Sequence, residues 1–324
     1  MPKTILVTGS AGFIGFHTAK KLLERGDSVI GIDNFNDYYN PQIKEDRNKI
    51  LEKFENFKLY RGDISDIGFL DDIFSGNMID VVCHLAAQAG VRYSIENPFA
   101  YERANMLGTL NIFEMCRKHN IHSVVYASSS SVYGNTKQTP FNEDMKLDKP
   151  ISLYAATKKA NELYAYVYHH LYGIKMVGLR FFTVYGPWGR PDMAYFAFTD
   201  SIINNQPVKI FNRGNQRRDF TYIDDITQGI ISSIDKIHEG ELNYEIFNLG
   251  NSTPENLLDF MGTIESALGK TAVKEMVDAQ PGDVTETFAD ITKSKAMLNY
   301  NPKTPLREGI PKFIEWYRDY FKVD

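Results

Sequence analysis

LVTGSAGFIG, residues 6 to 15, ends an apolar strand-like run and opens a helix with three glycines, Gly9, Gly12 and Gly15. Glycines at such a junction permit a tight turn, a close backbone approach to a pyrophosphate, and close packing of helix on strand. The N-terminus of a helix beginning near Phe13 then faces the anion. Outward from this stretch, the strand-like runs TILVTG, SVIGID, FKLYRGD, VVCHLAA, SVVYASS and KMVGLRF alternate with helix-like segments. Near-continuous apolar strands separated by helices imply a parallel sheet covered on both faces.

The expected fold class is α/β: a Rossmann-type doubly wound parallel sheet with a smaller, interleaved C-terminal α/β substrate domain. The cofactor domain is expected over residues 1–182, rejoined by about 224–251, where YEIFNLG reads as a strand returning to the main sheet. The second domain then takes most of 183–324, where the rhythm changes to turn-rich sequence. DDITQGIISSIDKI reads as a helix that an Asp can cap, and REGIPKFIEWYRDYF carries a core-facing apolar stripe.

Composition bounds the function. The chain has 324 residues and a formal net charge of −5, which argues against a nucleic-acid partner. No apolar run reaches membrane-spanning length, and MPKTILVTG lacks the pattern of a signal peptide. Cys83 and Cys116 stand singly in apolar segments, as reduced core residues of a cytoplasmic protein would. The seven histidines have no metal-ligand spacing, so no metal is expected.

The second strand ends at Asp33, where a carboxylate can accept both ribose hydroxyls of an adenosine and repels a 2′-phosphate; NAD is favoured over NADP. Asp63, after the third strand, can bond the adenine or cap a helix. Asn34 and Asn36 border the adenosine or form a turn. Downstream, SVVYASSSSVYG ends a strand in four serines, and SLYAATKKANELYAYVYHH places Tyr154 and Lys158 on one helical face. A phenol with a pKa near ~10 is a poor base at neutral pH, and lowering it by about three units takes roughly 4 kcal/mol. An adjacent ammonium and a nicotinium ring are expected to supply that.

Together, the glycine loop, Asp33, the serine-ended strand and the Tyr-x-x-x-Lys pair resemble the extended short-chain dehydrogenase/reductases that act on nucleotide sugars. The resemblance covers the whole chain. It implies Tyr154 as acid/base, Lys158 holding the nicotinamide ribose, and Ser129 bonding the sugar 4-hydroxyl. Ser130 and Ser131 follow towards the sugar, and Ser128 supports the strand. It also implies Phe13, Ile14, Ile64, Leu85, Ala86 and Ala87 around NAD.

DNFNDYY (Asp33–Tyr39), AAQAGVRYS (Ala86–Ser94) and RFFTVYGPWGRPDMA (Arg180–Ala194) together look very similar to UDP-glucuronate 4-epimerases. A substrate carboxylate calls for a fixed donor fork, and Arg190 is the first choice, with Arg92 second; each could instead serve the protein itself, Arg190 as a surface charge and Arg92 as a paired one. The resemblance adds Ser94, Thr183, Phe211, Arg218 and Asp283 as UDP-sugar contacts; a strand Phe is also ordinary core.

The implied reaction is epimerisation at C4 of UDP-glucuronate through a 4-keto sugar. Ser131 stands just before VYG, where decarboxylases and 4,6-dehydratases of the family carry an acid. UDP-glucose 4-epimerase and UDP-glucuronate decarboxylase are the alternative activities, and an NAD-sensing scaffold the non-enzymatic one. Helices near Pro98–His119 and Ser152–Tyr172 resemble those that pair in the family homodimer.

Overall fold

The computed structural model describes residues 2–278 and 286–323. Among the described residues twelve strands run in chain order: β1 Thr4–Thr8, β2 Ser28–Asp33, β3 Phe57–Arg61, β4 Val81–His84, β5 Ser123–Ser129, β6 Lys175–Phe181, β7 Thr183–Tyr185, β8 Val208–Ile210, β9 Arg217–Tyr222, β10 Tyr244–Leu249, β11 Pro254–Asn256 and β12 Lys274–Met276. Seven form one sheet in the order β10-β6-β5-β4-β1-β2-β3, every neighbouring pair parallel. The order reverses between β1 and β4, which opens a crevice at the carboxyl ends of these strands.

The apolar runs split by alternation. Ile5, Val7, Val81, Cys83, Val125 and Val177 face one core, which includes the helices Phe13–Glu24 and Ile223–Glu239. Leu6, Ile30, Val82, Val124, Tyr126 and Met176 face another, which includes the helices Ile67–Gly76, Gly108–Lys118 and Leu153–Tyr172. Both faces being covered, both sets must be apolar, and each fully buried aliphatic side chain contributes about 1.5–3 kcal/mol.

After β6 the chain leaves the sheet. It makes β7, the helix Ala194–Ile203, β8 and β9, then returns along the helix Ile223–Glu239 to place β10 beside β6. A three-stranded sheet, β11-β9-β7, and a two-stranded one, β12-β8, stand beyond the cleft edge. The helix Ile223–Glu239 departs from its expected start. Tyr222 is its N-cap residue and makes no side-chain cap bond, while Asp224 and Asp225 lie in the first turn. Asp225 is drawn away to accept from the backbone N–H groups of Lys303 (3.1 Å) and Thr304 (3.0 Å). Its charge still favours the positive helix end. The last helix, Leu306–Phe321, buries Leu306, Ile310, Phe313, Ile314 and Tyr317 on one stripe.

Candidate active site

A cleft of about 490 Å³ runs along the carboxyl ends of the parallel strands, within the range of ligand sites. At one end stands the glycine loop. Gly9 has φ +72°, and a Cβ there would lie 2.9 Å from the Ala86 backbone. A Cβ on Gly15 would stand 1.9 Å from the Gly9 carbonyl oxygen, so helix and strand approach here as only glycine allows. Gly12, Phe13, Ile14, Leu85, Ala86 and Ala87 line the same floor.

Asp33 ends β2, almost wholly buried at the cleft wall. Its Oδ2 accepts from Ala11 N–H (3.1 Å) and its Oδ1 from Phe35 N–H (2.9 Å). Burial pushes its pKa up, opposed by the charges of Lys44 and Arg47 and by the two amides. Asn34 donates to Asp63 Oδ2 (3.1 Å), and Asp63 accepts from Ser65 N–H (2.9 Å). The next helix is capped by Asp66, which accepts from Phe69 N–H, so Asp63 is left at the cleft beside Ile64. Asn36 receives Lys44 Nζ on both its backbone and side-chain oxygens, each at 2.7 Å.

At the other end the serines divide. Ser128 donates to Glu162 Oε1 (2.7 Å), and Arg180 donates to both oxygens of Glu162 (2.8 and 2.9 Å). That buried network anchors β5 to the helix Leu153–Tyr172. Ser129 Oγ caps a short turn over Ser130–Tyr133, accepting from Ser131 N–H (3.2 Å) and Ser131 Oγ–H (3.0 Å). Ser152 caps the helix carrying Tyr154, accepting from Ala155 N–H.

Ser129, Ser130, Ser131, Tyr154, Lys158 and Thr183 share the cleft wall. Burial pushes the Tyr154 phenol up, and the hydrogen bond with Ser129 and the charge of Arg190 oppose it. The Lys158 ammonium is turned to the Ala127 carbonyl (2.9 Å), and burial brings its own pKa down to about 8.

Arg190 lines the cleft and is not a solvated charge. It donates through Nε to Asp192 Oδ1 (3.0 Å) and through one terminal nitrogen to Oδ2 (2.6 Å), which also receives the Tyr38 hydroxyl (3.2 Å). This side-on pairing uses Nε and one terminal nitrogen and leaves the other terminal nitrogen out of the ion pair. Arg92 and Arg218 also line the cleft; the Arg92 guanidinium lies 4.6 Å from the Phe211 ring centroid, and Arg218 donates to the Gln216 side chain (3.3 Å).

Two expected contacts do not reach the cleft wall. Ser94 is buried and donates to the Val91 carbonyl (2.6 Å), which makes it a support for the turn. Phe211 lies under Arg92. Asp283 falls outside the described residues.

Two residues not anticipated from sequence, Lys44 and Tyr38, join the cleft wall, and a third, Asn105, braces it. Lys44 is buried at the wall beside Asp33, its pKa brought down to about 8 chiefly by burial. Tyr38 meets Asp192. Asn105, in a π-helical turn over Glu102–Leu107, accepts from Gln88 N–H (2.8 Å) and donates to Gln88 O (3.0 Å) and Thr157 Oγ1 (3.1 Å), tying the loop after β4 to the Tyr154 helix.

Known proteins share this arrangement. The chain is 54% identical over 97% of its length to an uncharacterized protein of Methanocaldococcus jannaschii, 96% of which is covered. It is 46% identical to UDP-glucuronate 4-epimerase 4 of Arabidopsis thaliana, over 99% of this chain and 76% of the plant protein. The crystal structure of UDP-glucuronic acid 4-epimerase from Bacillus cereus, in complex with UDP-glucuronic acid and NAD, superposes with a TM-score of 0.90 at 34% identity, covering 98% and 99% of the two chains. Residues 5–250 match the NAD dependent epimerase/dehydratase family, and the chain belongs to it.

Proposed function

We propose that this protein is a UDP-glucuronate 4-epimerase, interconverting UDP-glucuronate and UDP-galacturonate. The observation that carries the reading is Arg190, which lines the same cleft as Tyr154 and Ser129–Ser131. The plant relative and the solved Bacillus cereus complex support the choice of sugar.

The glycine loop, Asp33, Lys44, Asp63 and Lys158 hold NAD, which accepts hydride from C4 of the sugar and returns it to the opposite face. Tyr154 takes the proton of the 4-hydroxyl and gives it back, and Ser129 holds that oxygen. The 4-keto sugar formed in between is a β-keto acid, able to lose carbon dioxide when the bond to the carboxylate aligns with the ketone π system. Arg190, Ser130 and Ser131 hold the carboxylate out of that alignment. Ser131 offers a hydroxyl where dehydration would need a base. Arg218 and Asp283 take the nucleotide.

The described residues include no helix long and apolar enough to cross a membrane. On this reading the protein is cytoplasmic, in keeping with the free, buried Cys83 and Cys116. It is also a homodimer paired through the helices at Pro98–Lys118 and Leu153–Tyr172. Exposed Phe99, Leu163, Val167 and Leu171 on those helices support this.

The purified protein incubated with UDP-glucuronate and followed by proton NMR is expected to give UDP-galacturonate without net loss of NAD. Accumulation of UDP-xylose with carbon dioxide, or turnover of UDP-glucose alone, would overturn the assignment.

A further inference from the structure

The turn that carries Arg190 is held by the cofactor half of the chain. Its three preceding carbonyls are each bound by a side chain. His17, on the helix after the glycine loop, donates from Nε2 to Pro187 O (2.9 Å). Arg47, on the helix Gln42–Leu51, donates from one terminal nitrogen to Trp188 O (2.6 Å) and Gly189 O (3.2 Å). Its other terminal nitrogen donates to Ala11 O (2.9 Å) in the glycine loop and to the Tyr39 hydroxyl (2.8 Å). Ala11 in turn gives its N–H to Asp33.

This is costly construction. Arg47 is 0% exposed, these four acceptors are all neutral, and its Nε has no partner. An apolar side chain of similar volume would fill the space without burying a charge. His17 is kept neutral by burial, its pKa brought down to about 3, so its Nε2–H is a fixed donor to Pro187. Trp188 has φ +60°, a left-handed backbone disfavoured for a bulky residue, and its ring is wedged against Trp316 (5.3 Å) and Tyr320 (5.1 Å). A strained turn pinned at three successive carbonyls is a device for fixing the residue next in the chain, and that residue is Arg190.

We propose that Arg47 is a positioning residue: by bracing the glycine loop against the Trp188–Gly189 turn it fixes the Arg190 guanidinium, and so sets recognition and restraint of the uronate carboxylate. A guanidinium has donors on two edges and spans both partners at once, which one ammonium does not. The proposal rests on the uronate reading of Arg190.

The test compares NAD-loaded wild type, Arg47→Met and Arg47→Lys for UDP-glucuronate kinetics, UDP-xylose release and UDP affinity. Arg47→Met is expected to raise KM for UDP-glucuronate by about ten- to a hundredfold, the scale of a misplaced binding group. It should also divert part of the turnover to UDP-xylose, with UDP affinity and the pH profile of kcat unchanged; Arg47→Lys falls between. An unchanged KM and product ratio in a folded, NAD-loaded variant would overturn the proposal, as would parallel loss of kcat and UDP affinity. Should Arg47→Met not fold, His17→Leu, which removes the donor to Pro187 alone, decides: a smaller shift of KM in the same direction supports the role and an unchanged KM removes it. Failure of the wild type itself to convert UDP-glucuronate overturns the reading of Arg190 separately.

Discussion

At the cofactor end of the cleft the surface is largely made by main chain, with Gly9, Gly12 and Gly15 lacking side chains and the segment Leu85–Ala87 that follows β4 beside them. At the sugar end it is made by side chains: Ser129 to Ser131, Tyr154, Arg190 and Arg218. The difference arises from what each end must do. A dinucleotide is gripped the same way in every turnover, so repeated amides and a helix end suffice. The sugar must be held on either face while its carboxylate stays restrained, which calls for discrete donors whose placement is set elsewhere in the chain. Tyr154 and Lys158 form the seam between the two.

The contrast breaks most sharply at Tyr154. Burial pushes its pKa up, and the hydrogen bond with Ser129 and the charge of Arg190 oppose that. Tyr154→Phe removes the oxygen that carries the proton, and turnover is expected to fall by about 10²–10⁴-fold, the worth of a positioned acid/base. UDP affinity should hold, since the mutated atom is a proton carrier and not a nucleotide contact. Single-turnover kinetics with UDP-glucuronate beside UDP titration checks both. Near-wild-type turnover would remove Tyr154 from the reaction.

The main-chain end breaks at Gly15. In a helix, Ala is normally preferred over Gly by about 1 kcal/mol. Here its Cβ would fall 1.9 Å from Gly9 O, a backbone atom that cannot swing aside. Overpacking of this kind costs about 1–3 kcal/mol and reshapes the loop, so the clash wins. Gly15→Ala should be purified with little NAD and a lower melting temperature. A fully loaded, equally stable variant would show that the loop tolerates a wider approach.

The same contrast explains what could be read from the chain alone. The parallel sheet, the glycine loop, Asp33 and the Tyr154–Lys158 pair were legible because each is local: a period of two, a turn chemistry, a four-residue helical spacing. Ser131 and Arg190 came from resemblance in their surrounding strings. The supports were hidden. In QIKEDRNKIL the inward stripe is Ile43, Lys44, Arg47, Asn48 and Leu51, mostly polar, so charge reads outward where the fold places it inward. That stripe has helical spacing, and it was the one available signal. Nothing local joins Arg47 to Trp188 or Asp225 to Lys303. Asp225 stood at a plausible cap and was claimed instead by two distant amides.

The smallest effect expected is at Asp219, on β9 beyond the sugar end, where side chains again do the holding. Fully buried, it accepts from the N–H groups of Asn251 (2.6 Å), Ser252 (3.0 Å) and Ala289 (3.0 Å), tying two other segments to the strand that carries Arg218. Burial outweighs these bonds and pushes its pKa up to about 6. Because the folded value lies above the unfolded one, the stability this carboxyl contributes is present below about pH 4. It is lost at about 1.4 kcal/mol per unit as pH rises towards 6. Asp219→Asn sets an NH2 against the amides of Ser252 and Ala289 and should cost about 1–3 kcal/mol. Asparagine does not titrate, so the deficit should be larger at pH 5 than at pH 7 in denaturant melts. A deficit that grew as pH rose would mean that the three amides, and not burial, govern this carboxylate.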